Sequence, residues 1–388
     1  MRGKLRCNMQ YRPIGKTGMS ASVIGLGTEH LDNKPYEIVE TVMNAALDEG
    51  FNIMDLFMPG DAVRENIGRV LIGRRDKMLV QGHICSTSVK EQYDKSRDLP
   101  TVKKYFESLL RCLKTDYIDL GMLFFIDNDK DFSDVFESEI LRYAQDLKQQ
   151  GRIRAIGISS HDPRTARRVV ETGAVDLMMF SINPAYDMAS AETYVIGYMD
   201  KALNYEKKLD RDRAALYQLC EQRGVAITVM KTLGAGKLLS REHSPFARPL
   251  TVAQCIHYAL TRPAVVSALI GCATAEEVRE AAAYLDKSDD ELDYSAVLQD
   301  FQGDFRGHCV YCNHCLPCPS GINIANVHKY LDIAMLDEAN IPPGTASHYR
   351  ALDRHASECS SCGSCEERCP FSVPIIENMK KAASLFEK

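Results

Sequence analysis

No apolar run in this chain is long enough to cross a bilayer, so a membrane-spanning helix is not expected. The opening stretch "MRGKLRCNMQYRPIGKTG" has basic residues but no apolar segment behind them, so a secretory signal is not expected either. A basic excess is also missing. The chain sets 47 Lys and Arg against 53 Asp and Glu, a formal charge of −6, which argues against nucleic acid and anionic membrane as partners. What is present is 388 residues, 45% hydrophobic and 26% charged, ordinary for a protein with a sizeable core. That length suits one large domain with an appendage, in a cytoplasmic protein.

Cysteine is plentiful: fourteen in all. Eight crowd into "CVYCNHCLPCP" (309–319) and "CSSCGSCEERCP" (359–370). In a reducing compartment such clusters read as metal ligands. Cys7, Cys85, Cys112, Cys220, Cys255 and Cys272 are scattered and read as small buried hydrophobes. Cys85 and Cys272 stand out by falling near the ends of expected strands.

Between residues 23 and 285 short β-rich runs alternate with helical patterns. The strands are "VIGLG" (23–27), "NIMD" (52–55), "MLVQGH" (78–83), "YIDLGMLF" (117–124), "RAIGIS" (154–159), "DLMMFSI" (176–182), "AITVMK" (226–231) and "VSALIG" (266–271). They are nearly continuous apolar runs, as when helices cover both faces of a sheet. Between them, "YEIVETVMNAALDEG" and "TVKKYFESLLRCL" repeat apolar residues every three and four, and several such segments stop on glycine. Eight repeats fit an α/β fold of the (β/α)8 TIM-barrel type, about 250 residues long; a doubly wound open sheet is the competing architecture. The connection after the sixth strand, "NPAYDMASAETYVIGYMDKALNYEKKLDRD", is long enough to suggest a functional loop over the barrel's C-terminal face. "GKTG" at 15–18 lacks the spacing of a phosphate loop and reads as a hairpin turn. The division expected is a barrel over 1–290, then a linker and a small, mainly helical ferredoxin-like domain over 291–388.

In the tail, Cys309, Cys312, Cys315 and Cys318 stand three apart, followed by Pro319. Cys359, Cys362 and Cys365 repeat the spacing, with Cys369 four further on and Pro370 behind it. Three thiolates so spaced can cap one face of an iron–sulfur cube, and in two-cluster ferredoxins the cysteine before proline ligates the other cluster. On that pattern one [4Fe–4S] cluster takes Cys309, Cys312, Cys315 and Cys369, and the second takes Cys359, Cys362, Cys365 and Cys318. A pair of structural zinc sites is the alternative. The first run departs from bacterial ferredoxin spacing, with two residues rather than three before its last cysteine. The helical look of "INIANVHKYLDIAMLDEA" between the runs makes the tail similar to the α-helical ferredoxin type.

Several stretches resemble the aldo-keto reductase family: "YRPIGKTGMSASVIGLGT", "LLRCLKTDYIDL", "LKQQGRIRAIGISSH", "VMKTLGAGKL" and "LIGCATAEEVREA". The resemblance covers roughly residues 9–285. With the tail, the whole chain is similar to the bacterial subgroup carrying a C-terminal two-cluster ferredoxin-type module. It implies hydride transfer from a nicotinamide to a carbonyl by an Asp, a Tyr that donates the proton, a Lys and a His. Asp55 matches the Asp. Gly60 stands at the Tyr position, His83 at the Lys and Phe124 at the His. Where the family grips a 2′-phosphate this chain has Gly271 and Glu277, and an acidic side chain there would repel it. Ala281 replaces an Asn beside the adenine, while Glu280 can still accept from the adenine amine. Ser159 and Ser160 stand where a Ser–Asn pair holds the carboxamide.

Polar residues expected at strand C-termini are Thr28, Glu29, His30, Asp55, His83, Ser159, His161, Asn183 and Lys231. Singly, each could merely close a barrel layer by hydrogen bonding; together they mark the face where barrels build sites. His83 beside Asp55 is the expected proton-transfer group, its unperturbed pKa being about 6.5. Ser159, Ser160, Asn183, Lys231 and Glu280 are the expected cofactor contacts, and Tyr186 is a proton donor by location alone. The favoured function is an iron–sulfur oxidoreductase that passes electrons between two clusters and a small-molecule substrate, directly or through a bound NAD(P) or flavin. An external electron-donor or acceptor protein is then an expected partner. A non-catalytic electron-transfer or assembly partner, and an NAD(P)H-dependent carbonyl reductase with an altered tetrad, are the alternatives.

Overall fold

The structure, a computed structural model, describes residues 8–89, 92–188, 210–246, 248–298, 307–335 and 338–387. Cys7 and most of the long connection after the sixth strand lie outside the described residues.

Eight parallel strands close into a barrel. They are β1 (Ile24–Gly27), β2 (Ile53–Leu56), β3 (Leu79–Ile84), β4 (Ile118–Leu123), β5 (Ile153–Ser160), β6 (Leu177–Ser181), β7 (Ala226–Met230) and β8 (Val265–Gly271). All eight expected strands are present, and the open-sheet alternative is excluded because β8 pairs with β1, Ala268 opposite Ile24. The strands are buried almost throughout. Their outer faces meet a ring of helices: α1 (Tyr36–Asp48), α2 (Asp61–Val70), α3 (Leu99–Leu113), α4 (Glu139–Gln149), α5 (Pro163–Glu171), α6 (Arg211–Arg223), α7 (Val252–Leu260) and α8 (Ala275–Ala282). Ile53, Leu120, Met122, Ala155, Leu177, Met179 and Leu269 fill the lower interior.

"GKTG" is the turn of an N-terminal hairpin pairing Tyr11–Pro13 with Ser20–Ser22. Its Ile14, Met19 and Ala21 pack into that lower interior and plug the barrel at the N-terminal ends of the strands. The opposite end is left for polar side chains. A second hairpin, Ser86–Val89 with Gln92–Lys95, follows β3 and was not expected, because "STSVKEQYDK" lacks apolar alternation.

Short helices Asp289–Leu292 and Ser295–Leu298 follow α8. Tyr294 between them is fully buried against Tyr258 of α7. The tail is helical: α9 (Ile324–Ala334), α10 (Pro343–Arg350), the short Ser364–Arg368 and α11 (Ile375–Phe386), with α9 against both α10 and α11. It docks on α6, α7 and the turn between α7 and β8. His348 of α10 meets Glu221 in the last turn of α6 at 2.6 Å. The other carboxylate oxygen of Glu221 accepts from Ala264 N, 2.7 Å. Arg262 donates to the Val310 carbonyl at 2.7 Å. These contacts lie at the plugged end of the barrel, because helices of a βα repeat run back from the mouth and finish there.

Helix packing is closest at Gly68. A Cβ there would collide with the Cys112 carbonyl oxygen and lie 2.8 Å from Leu113 Cα, both backbone atoms of α3. Gly68→Ala gains about 1 kcal/mol of helix propensity but overpacks a contact that cannot yield, at a cost of about 1–3 kcal/mol. We expect a net loss, read as a lower urea midpoint in far-UV circular dichroism; an equal or higher midpoint would show that α2 and α3 can part freely.

Candidate active site and metal centres

At the mouth, β2 and β3 bring Asp55 and His83 together. His83 Nε2 lies 2.8 Å from Asp55 Oδ1, which also accepts from Gln81 Nε2 at 2.7 Å. Gln81 Oε1 in turn accepts from Thr228 of β7, 2.9 Å. The carboxylate fixes the proton on Nε2, so Nδ1 is the free valence of the ring. His83 is 2% exposed and Nδ1 has no partner among the described residues. A buried polar atom without a partner is rare enough to require a reason, and a ligand group is one. Phe124 of the β4 end packs its edge on His83 at 5.1 Å, and Phe57 stacks on Phe124 at 6.0 Å. Gly60 is the N-cap of α2.

A second pair was missed by sequence reasoning. Asp127, just beyond β4, accepts from His161 Nδ1 (2.9 Å), His161 N (2.6 Å) and Ser160 Oγ (3.1 Å). Burial pulls the Asp127 carboxyl upward, but the hydrogen bonds from His161 and Ser160 hold it below its ordinary value. Burial pushes the His161 imidazole below its ordinary value, against the pull of Asp127. The pair is therefore a carboxylate holding a neutral ring. "FFIDND" gave no periodic signal, since the geometry hangs on Phe125, whose φ is 61°. Phe125 N donates to Ser159 Oγ (2.9 Å), and Arg97 donates to the Phe124 and Phe125 carbonyls.

Cys85, Phe125 and Lys231 all have left-handed φ at strand ends, strain that clusters at functional sites. Lys231, at the end of β7, is half-buried; burial lowers its pKa, while Asp127 and Glu29 oppose this. Asn183 caps the short helix Pro184–Asp187 through Tyr186 N and donates to the Lys231 carbonyl at 2.8 Å. Asp55, His83, Ser159, Ser160, Asn183 and Lys231 thus all stand at strand ends of one face. Glu280 does not join them: it is exposed on α8. Glu277 bends back to accept from Ala273 N (2.6 Å) and Thr274 N (3.3 Å), closing the α8 N-terminus with its own carboxylate. A Cβ on Gly271 would sit 2.9 Å from His30 Cδ2.

The tail cysteines divide between two small cavities. Cys309, Cys312, Cys315 and Cys369 line one, with Val310, Ile324, Phe371 and Ile375 around them. Cys318, Cys359, Cys362 and Cys365 line the other, with Ile322, Ile324, Ile375 and Met379. Among the described residues no three side chains of ligand type gather closely enough for a single metal ion. The sulfurs ring a space, which fits a cluster, whereas one zinc would hold each sulfur at about 2.3 Å from a common point. Burial pushes the bare Cys312 and Cys315 thiols up to about 12, so these sulfurs become anionic with a cation beside them.

The aldo/keto reductase family model matches residues 23–251. The chain belongs to that family. A 4Fe-4S dicluster domain model matches residues 308–374. Among curated proteins, the "Uncharacterized oxidoreductase YqkF" of Bacillus subtilis is 26% identical, covering 70% of this chain and 90% of that protein. The "NADH-specific methylglyoxal reductase" of Escherichia coli is 23% identical over 61% of this chain and 72% of its own. Among solved folds, the holo aldo-keto reductase AKR11C1 of Bacillus halodurans gives a TM-score of 0.59 at 22% identity, covering 76% of this chain and 96% of that one. The protein is thus an aldo/keto reductase-type oxidoreductase with a C-terminal 4Fe-4S domain. No described helix is long and apolar enough to cross a membrane.

A buried, neutral His161 should titrate below about 6.5, and the stability it contributes is lost as the pH falls through its folded pKa. Histidine-selective NMR against His161→Gln would locate its signal. Asp127→Asn should lower the midpoint further; a rise would reverse the role given to the carboxylate.

Proposed function

We propose that this oxidoreductase moves electrons between two [4Fe–4S] clusters and a small organic substrate at the barrel mouth, with His83 and Asp55 handling the proton. The observation that carries the reading is the division of the eight cysteines four and four between two cavities, each set drawing its fourth sulfur from the other run. Cys309, Cys312, Cys315 and Cys369 would hold an inner cluster beside the barrel. Cys318, Cys359, Cys365 and the exposed Cys362 would hold an outer one within reach of an external electron-carrier protein. The clusters supply single electrons when bound. The two modules are taken as residues 1–290 and 291–388.

At the mouth, His83 presents Nδ1 as its free valence, with Asp55 steadying the ring. Phe57 and Phe124 exclude water from it. The Tyr, Lys and His of the family tetrad are replaced by Gly60, His83 and Phe124, so standard hydride transfer lacks its proton donor. Ser159 and Ser160 are engaged with Phe125 and Asp127, and Glu277 occupies the α8 N-terminus, which together disfavour a tightly held NADPH. A buried chain supports passage along the barrel flank. Arg213 joins the Ser181 carbonyl at the β6 end to Asp187, 3.1 Å; Tyr258 reaches the same carboxylate at 2.9 Å; and Tyr258 packs on Tyr294, whose hydroxyl donates to the Val310 carbonyl at 3.0 Å.

Anaerobic protein should contain about eight iron atoms. Cys312→Ser and Cys369→Ser should strike one cluster, and Cys362→Ser and Cys318→Ser the other, read by iron content and electron paramagnetic resonance. Zinc in place of iron would sink the reading. With reduced viologen as donor and a panel of small carbonyl compounds, all four variants should lose turnover. His83→Gln should lower it by about 10²–10⁴. Full turnover by the cysteine variants with NADPH would instead favour the altered-tetrad carbonyl reductase.

A further inference from the structure

Arg262 is a barrel residue, in the turn between α7 and β8, yet its guanidinium ends at the tail. It is 3% exposed. Its Nη2 donates to Val310 O (2.7 Å), Tyr294 Oη (3.1 Å) and Thr261 Oγ1 (3.1 Å). The group lies over the rings of Tyr258 (4.3 Å) and Tyr311 (5.1 Å). Among the described residues no carboxylate lies within ion-pair distance of it, the buried Asp187 acts on it only through space, and its Nε has no partner. An arginine cannot shed its charge, so a full positive charge is buried against the peptide between Cys309 and Cys312.

Other charges near the inner cavity are less direct. Asp332 is bonded by Tyr311 at 2.5 Å, and burial pushes its carboxyl up to about 6. Asp293 is held by His314. The outer cavity has a parallel contact, Arg368 to Pro317 O at 2.7 Å, but Arg368 is only half-buried and that bond faces solvent, where it is screened. Cluster potentials follow net charge, hydrogen bonding and exposure. Burial opposes adding an electron to an anionic cluster, and a buried cation favours it.

We propose that Arg262 sets the reduction potential of the inner cluster, raising it above the value burial alone would give, so that electrons entering at the outer cluster settle on the inner one. The event is the addition of one electron to the iron–sulfur cube, with no bond made or broken. The inference rests on the reading that Cys309, Cys312, Cys315 and Cys369 hold a cluster.

The test is a dithionite titration of the full-length holoprotein, each cluster followed by electron paramagnetic resonance. Arg262→Gln should make the inner cluster harder to reduce by at least tenfold in the equilibrium, about 59 mV for one electron, while the outer cluster stays put. Arg262→Lys should retain part of the effect. Thr261→Asp places a carboxylate beside the guanidinium without breaking the Val310 bond, and should shift the inner cluster in the same direction. It therefore reads the charge even if Arg262→Gln fails to assemble. An inner cluster that is present with unchanged potential in Arg262→Gln, or in Thr261→Asp where Arg262→Gln does not assemble, overturns the inference. Wild-type protein without the inner cluster overturns the earlier reading instead.

Discussion

A closed parallel barrel sends all eight strand C-termini to one face, and that constraint arranges everything else in this protein. With the hairpin's Ile14, Met19 and Ala21 plugging the opposite end, polar side chains have one place to gather. Asp55, His83, Gln81 and Thr228 form one network there, and Asp127, His161 and Ser160 a second. The left-handed Phe125, pinned by Ser159 and Arg97, lies between them: its ring meets His161 at 5.1 Å, and Phe124 beside it meets His83. Two carboxylate–imidazole pairs thus stand on either side of an aromatic divide, and a ring so held by a carboxylate can hold or move a proton.

The same constraint makes the position of the tail consequential. It docks on the last turns of α6 and α7, at the plugged end, rather than over the mouth. The tail thus abuts the barrel flank rather than the face that gathers the strand ends. The flank between α6 and α7 is where Arg213, Asp187, Tyr217 and Tyr258 are buried and mutually bonded. Buried ionic groups of this kind are costly to leave unpaired, so Asp187, with Arg213 and two tyrosine hydroxyls around it, is fully satisfied.

Much of this was legible in the sequence, for local reasons. The strands announced themselves because a strand covered on both faces needs unbroken apolar runs, and the cysteines because cluster ligation is written in short spacing. Asp55 and His83 could be paired through the family resemblance alone, since they lie 28 residues apart on strands whose register only the folded sheet sets. Asp127 with His161 was not legible: it depends on a positive φ at a phenylalanine, which no propensity suggests. Arg262 was equally hidden. A lone arginine after a helix reads as a solvated end group, and only the docking of a second module buries it.

The start of α8 is where the family resemblance would set a phosphate, and there this chain places a carboxylate. A helix N-terminus attracts anions because its first amides lack partners. In α8 the Glu277 carboxylate accepts from Ala273 N and Thr274 N just ahead of the helix, while Thr274 Oγ1 accepts from Glu277 N, a reciprocal capping box. The box sets a negative charge at the helix N-terminus, where it repels an incoming anion. Beside it, a Cβ on Gly271 would meet the ring of the exposed His30 at 2.9 Å, so a larger residue there would have to turn that ring aside.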